Sequence, residues 1–114
     1  MAQNDAVTKY VTIANGAALS SALEMPQSFY LAGIIKDDTL DTSVAITFTV
    51  SMDGVTYYTL MDTAGAAISY TVAAAGAEAI TIPPTTFYPW EFIKIAVADN
   101  QTGITTIGCV VKQY

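Results

Sequence analysis

Residues 44–54 read Val44-Ala45-Ile46-Thr47-Phe48-Thr49-Val50-Ser51-Met52-Asp53-Gly54, and this stretch decides the fold class. Large apolar side chains at 44, 46, 48, 50 and 52 alternate with Ala, Thr, Thr and Ser. A period of two puts the first set on one face of a strand and the second on the other. The predicted strand therefore has one buried face and one small polar face. Asp53-Gly54 closes it, and both residues tolerate positive φ, so a tight hairpin is expected there. The expected return strand covers residues 55–61, with Tyr57, Thr59 and Met61 on one face and Tyr58 and Leu60 on the other.

The same grammar extends in both directions. Residues 8–14 are rich in β-branched side chains and close at Asn15-Gly16. Residues 28–36 follow Pro26 and are apolar on both faces, as a central strand would be. Residues 68–73 and 79–82 read as short strands, and Pro83-Pro84 forbids further pairing after the second. Residues 90–98 alternate Ile93, Ile95 and Val97 with Phe92, Lys94 and Ala96, and residues 104–112 form the last strand after a turn at 99–103. Residues 17–25 fit either two helical turns or a short irregular edge strand. Residues 73–79 are Ala-rich, but Gly76 and the β-branched flanks favour a turn. Seven or eight short strands spaced by turns indicate an all-β, antiparallel β-sandwich forming one domain over residues 1–114. Its expected core contains Val44, Ile46, Phe48, Val50, Ile93, Ile95 and Ile107.

Composition narrows the function. The chain has no histidine, its only cations are Lys9, Lys36, Lys94 and Lys112, and its net charge is −6. Scattered cations on an acidic chain argue against nucleic acid and against anionic membrane surfaces. No apolar run approaches the roughly 20 residues that span a bilayer, and Met1 to Asp5 shows no signal-peptide pattern. A Ser-His-Asp or Cys-His triad is impossible without histidine. One cysteine, Cys109, permits no internal disulfide and reads as a small buried hydrophobe. Glu24, Glu78 and Glu91 are the only glutamates from which a glycosidase pair could be drawn. Asp37, Asp38 and Asp41 could offer oxygen ligands to calcium, but without EF-hand spacing they read as solvated turn acids. No enzyme, cofactor or metal is expected.

Charged residues make up 12% of the chain against 53% hydrophobic ones, and soluble domains usually carry about 25% charged. Thr, Ser, Ala and Tyr replace the missing charge, and they tolerate contact with another protein. The aromatics Tyr57, Tyr58, Phe87, Tyr88, Trp90 and Phe92 gather around one hairpin and one strand entry. One tyrosine of the 57/58 pair should be buried and the other exposed. Tyr58, Tyr88 and Trp90 are the candidates for a protein interface, where Tyr and Trp are enriched.

Several segments resemble, in order, the small β-sandwich virion proteins encoded among the structural genes of tailed bacteriophages. They are Thr12-Ile13-Ala14-Asn15-Gly16, Leu19-Ser20-Ser21-Ala22-Leu23-Glu24-Met25, Leu31-Ala32-Gly33-Ile34, the run from Ile46 through Asp53-Gly54 to Leu60, Phe92-Ile93-Lys94-Ile95, and the terminal strand. The resemblance implies a jelly-roll-like sandwich in the phage particle, made in the bacterial host cytoplasm and serving in many copies as a capsid decoration or cement protein. Its implied partners are the major capsid protein or other virion proteins, and its own copies, with a trimer suggested by capsid geometry. That family often has Trp after the Asp-Gly turn, where this chain has Tyr57-Tyr58. It often has an arginine near Phe92-Ile93-Lys94-Ile95, where this chain has none, so no specific contact residue carries over. The alternative is a carbohydrate-binding β-sandwich module of a phage fibre or cell-surface protein, with exposed rings stacked on sugar.

Overall fold

The computed structural model describes residues 6–25, 29–36, 44–72, 77–83, 86–87, 90–97, 101 and 103–113, and every regular element among them is a β-strand. In chain order these are β1 (Val7–Ile13), β2 (Leu23–Glu24), β3 (Phe29–Lys36), β4 (Val44–Ser51), β5 (Tyr58–Thr59), β6 (Tyr70–Val72), β7 (Glu78–Thr81), β8 (Phe92–Ala96) and β9 (Thr105–Gln113). Two antiparallel sheets result. One has the order β1-β9-β3-β7, the other β2-β8-β4-β5, with β6 also on β4.

β5 and β6 share one edge of β4. Val50 pairs with Tyr58 and Thr49 with Thr59, then Ile46 with Tyr70 and Val44 with Val72. Between them the chain makes an excursion, pinched at its base by a Met61–Ala67 bridge and by the Ile68 N–H on the Leu60 carbonyl. Asp62 Oδ1 holds the excursion's tip by accepting the N–H groups of Ala64 and Ala66. Counted as one interrupted strand, β5 and β6 complete the double Greek key of a jelly roll. Nearly every other connection crosses from one sheet to the other. The described residues thus hold nine strands against the seven or eight expected, because residues 17–25 supply β2.

The alternation read from β4 sets the core. Ile46, Phe48 and Val50 are buried, and so are Ile93, Ile95 and Ile107; the side chain of Val44 lies outside the described residues. Phe48 is fully covered and meets Phe87 edge-to-face at 4.8 Å between ring centroids, and Tyr70 at 5.9 Å. Val11, Ile13, Cys109 and Val111 close the core from the four-stranded sheet. Met52 does not join it, contrary to the alternation, and is exposed. β4 ends at Ser51, so the period of two no longer governs the next residue.

β3 is central, between β9 and β7, as its two apolar faces imply. Its register passes from Leu31↔Val111 to Gly33↔Val110, which makes Ala32 an extra residue in a bulge. That extra residue lets Leu31 and Ile34, three apart, both point inward, and turns Ile35 outward. Lys36 ends the strand buried, opposite Glu78 of β7 in the register.

Residues 17–25 are extended and irregular rather than helical. Isolated bridges join Ile13 to Ser20 and Leu19 to Ala96, so the segment ties β1 to β8 across the two sheets. Serine side chains supply bonds that a regular ladder would have made. Ser20 Oγ accepts the Ile95 N–H at 2.9 Å and donates to the Ser21 carbonyl, while Ser21 Oγ accepts the Thr12 N–H at 3.1 Å. This side-chain bonding suits an edge strand and disfavours a helix interior.

Candidate protein-interaction surface

The expected two-residue hairpin at Asp53-Gly54 is replaced by a loop of residues 52–57, and the return strand shrinks to Tyr58–Thr59. Side chains take the hydrogen bonds that a tight turn would have left to the backbone. Ser51 Oγ accepts the N–H groups of Asp53 (3.2 Å) and Gly54 (2.9 Å) and donates to Asp53 Oδ1 at 2.8 Å. Asp53 Oδ1 also accepts the N–H groups of Val55 (2.8 Å) and Thr56 (3.0 Å). These donors, led by the backbone N–H of Thr56 and then of Val55, lower the Asp53 carboxyl from 3.8 to about 2. Gly54 sits at φ 77°, and an added Cβ would lie 3.2 Å from the Phe92 ring.

The loop displays its apolar side chains. Val55 is 82% exposed and Tyr58 63%, and Met52 at the start of the loop is about half exposed. Tyr57 is only half-buried, where one tyrosine of the pair was expected to be buried, with Lys94 Nζ 4.5 Å above its ring centroid. Burial, then the nearby Asp53 charge, raises the Tyr57 hydroxyl pKa. The stack helps close the outer face of the five-stranded sheet, where Thr47, Thr49, Phe92 and Ala96 are half-buried too.

Of the three residues picked from sequence for an interface, Tyr58 projects from this corner. Trp90 is half-buried and packs against the core, and its backbone N–H donates to the Phe87 carbonyl at 2.8 Å. Tyr88 lies outside the described residues, and the structure does not bring the three into one patch that can be described. Asp37, Asp38 and Asp41 also lie outside the described residues. The three glutamates do not converge, since Glu78 is on β7 while Glu24 and Glu91 are on β2 and just before β8. Among the described residues no three acidic or cysteine side chains form a metal-ligand group. Cys109 is buried on β9, and burial pushes its thiol up to about 12, so it stays protonated near neutrality.

A second surface was not singled out from sequence. The outer face of the four-stranded sheet carries a row that crosses all four strands. Tyr10 of β1 pairs with Gly108 of β9, Gly108 with Ile35 of β3, and Ile35 with Ala79 of β7. Tyr10 and Ile35 close over Gly108 from either side: an added Cβ there would lie 3.3 Å from Tyr10 Cε1 and 3.5 Å from Ile35 Cβ. Tyr10 is nevertheless 67% exposed, and Ile35, Ala79, Thr8, Thr12 and Thr81 are exposed around it. By strand alternation the only charged group on this face among the described residues is Lys112, at the end of β9. The signal was present in Thr8-x-Tyr10-x-Thr12 and Thr106-x-Gly108-x-Val110, whose outward half is uncharged.

No protein-family model matches the chain, and no curated protein matches it in sequence. Among solved structures it is similar to a chain of the Bacillus endospore appendages, a family of disulfide-linked pili, at 19% identity over 98% of this chain and 90% of that one, with a TM-score of 0.48. It is also similar to a chain of the cyanophage Pam1 capsid asymmetric unit, at 12% identity over 96% and 85%, with a TM-score of 0.44. Likeness this distant says nothing about partners or activity.

Proposed function

We propose that the chain is a non-enzymatic structural protein of a bacteriophage particle, bound to the capsid in many copies as a decoration or cement protein. The observation that carries the reading is the pair of exposed apolar surfaces, one on the Ser51–Tyr58 corner and one across the four-stranded sheet. A jelly roll needs neither surface to fold, since its core is already closed by Phe48, Ile93, Ile95, Ile107 and their neighbours. Large apolar side chains left in water on two separate sides favour burial against other proteins. A component with neighbours on more than one side is what a shell or fibre requires. The order of segments shared with small virion β-sandwiches supports the same reading, with the major capsid protein and further copies as partners.

Co-sedimentation with purified particles tests it. The reading expects the chain to travel with particles in a fixed ratio through a density gradient. A protein that stays at the top of the gradient, yet binds a defined sugar on a glycan array, would instead be a carbohydrate-binding module.

A further inference from the structure

We infer that the outer face of the four-stranded sheet is a self-association surface, on which a second copy of this chain seats the same face about a twofold axis. The inference rests on the reading of the chain as a protein working in repeated copies, and it specifies which face they share. The occupant follows from where the charge lies. Five of the acids are among the described residues: Glu24, Asp53, Asp62 and Glu91 lie on or beside the five-stranded sheet, and Glu78 alternates with the outward Ala79 on β7. Two copies of a chain of charge −6 repel one another through any acid-bearing side. Face-to-face stacking of the four-stranded sheets keeps the four carboxylates at the five-stranded sheet on the far sides of the pair, and Glu78 lies on the inward half of β7 rather than on the contact face.

The face also has the shape for it. Tyr10 and Ile35, drawn together over Gly108, form a low apolar ridge, and the flanking positions are threonine and alanine. A twofold contact pairs the same patch on both copies, so the ridge of each copy can lie on the lower threonine and alanine positions of the other. Four strands of about seven residues cover roughly 20 Å by 25 Å, on the order of 500 Å² per copy. A standard stable interface takes about 800 Å² per partner. The pair is therefore weak in isolation and gains its stability where copies are held side by side. The contact is twofold where capsid geometry alone suggested a trimer.

Sedimentation equilibrium of the full chain from about 10 µM to about 1 mM reads this directly. The expected result is a weight-average mass rising from the 12.0 kDa monomer toward a dimer and stopping there. Tyr10→Glu and Ile35→Glu should each weaken the association at least about tenfold, with the circular dichroism of the folded protein unchanged. Tyr10→Phe should retain it, and Val55→Glu on the opposite corner should leave it as it was. A monomer at every concentration overturns the inference, and so does growth beyond the dimer, which would mean head-to-tail stacking. Loss of association in Val55→Glu but not in Tyr10→Glu overturns the choice of face while leaving the repeated-copy reading standing. That reading fails separately, if the chain does not travel with particles.

Discussion

The Ser51–Tyr58 corner and the outer face of the four-stranded sheet both expose large apolar side chains, but they are built in opposite ways. At the corner the backbone is irregular, and Ser51 and Asp53 hold four of its N–H groups by local bonds. Val55 and Met52 project into solvent from the loop, with no described residue covering them. On the sheet face the backbone is a regular ladder, and Tyr10 and Ile35 are exposed because alternation turns half of every strand outward. The corner's shape is thus fixed by its own sequence, whatever packs on it. The face takes its shape from the order of four strands, which leaves its outward residues free to suit a partner.

Five measurements bear on that contrast, beginning beneath both surfaces. Phe48→Ala removes the ring that Phe87 and Tyr70 pack against and should cost about 3–5 kcal/mol in urea unfolding. A loss below about 1 kcal/mol would mean that the core is not organised around β4. Next comes Gly54→Ala, which places a Cβ at φ 77° and against Phe92. It should cost about 1–2 kcal/mol, and a neutral result would show the corner to be less fixed than its hydrogen bonds imply.

Acid should loosen the corner and spare the face. Asp53 is depressed in the folded state to about 2 from 3.8. A depressed carboxylate contributes stability that is complete above its unfolded pKa and is lost as pH falls through the folded one. The melting temperature should therefore decline between about pH 4 and pH 2, and Asp53→Asn should flatten that decline. A carboxyl carbon titrating near 4 by NMR would contradict the bonding described.

Gly108→Ala is the counterpart of Gly54→Ala on the sheet face. The nearest obstacle to its Cβ is the edge of the exposed Tyr10 ring, which can swing into solvent. The change in stability should stay within about 1 kcal/mol, while self-association weakens because the ridge is pushed apart. Smallest of all, EDTA and reductant should each move the melting temperature by no more than about 2 °C, since apolar burial supplies the stability. A large drop with EDTA would bring Asp37, Asp38 and Asp41 back as calcium ligands.

Much of the fold was legible in the sequence because β4, β8 and β9 alternate cleanly, and alternation specifies a buried face without reference to neighbours. The tight hairpin was misread for a physical reason. Asp-Gly signals tolerance of positive φ, but it does not show that Ser51 and Asp53 will satisfy the loop's N–H groups and so allow a wider turn. The bulge at Ala32 was invisible for a similar reason, since an extra residue in one strand shows only against its partner. At the candidate surfaces, Tyr58 could be found as one of a pair of adjacent aromatics. Trp90 looked alike in sequence yet packs against the core. The Tyr10–Gly108–Ile35–Ala79 row joins residues far apart in the chain, so only the sheet order reveals it.

Whether this chain belongs to a phage particle, as proposed, is tested most directly by cryo-electron microscopy of particles purified from cells that express it. Jelly rolls of this size are expected in regular copies on the shell, meeting face to face through their four-stranded sheets with Tyr10 at the contact. Shells whose density holds no such domain, while the soluble protein binds a defined glycan, would contradict the proposal.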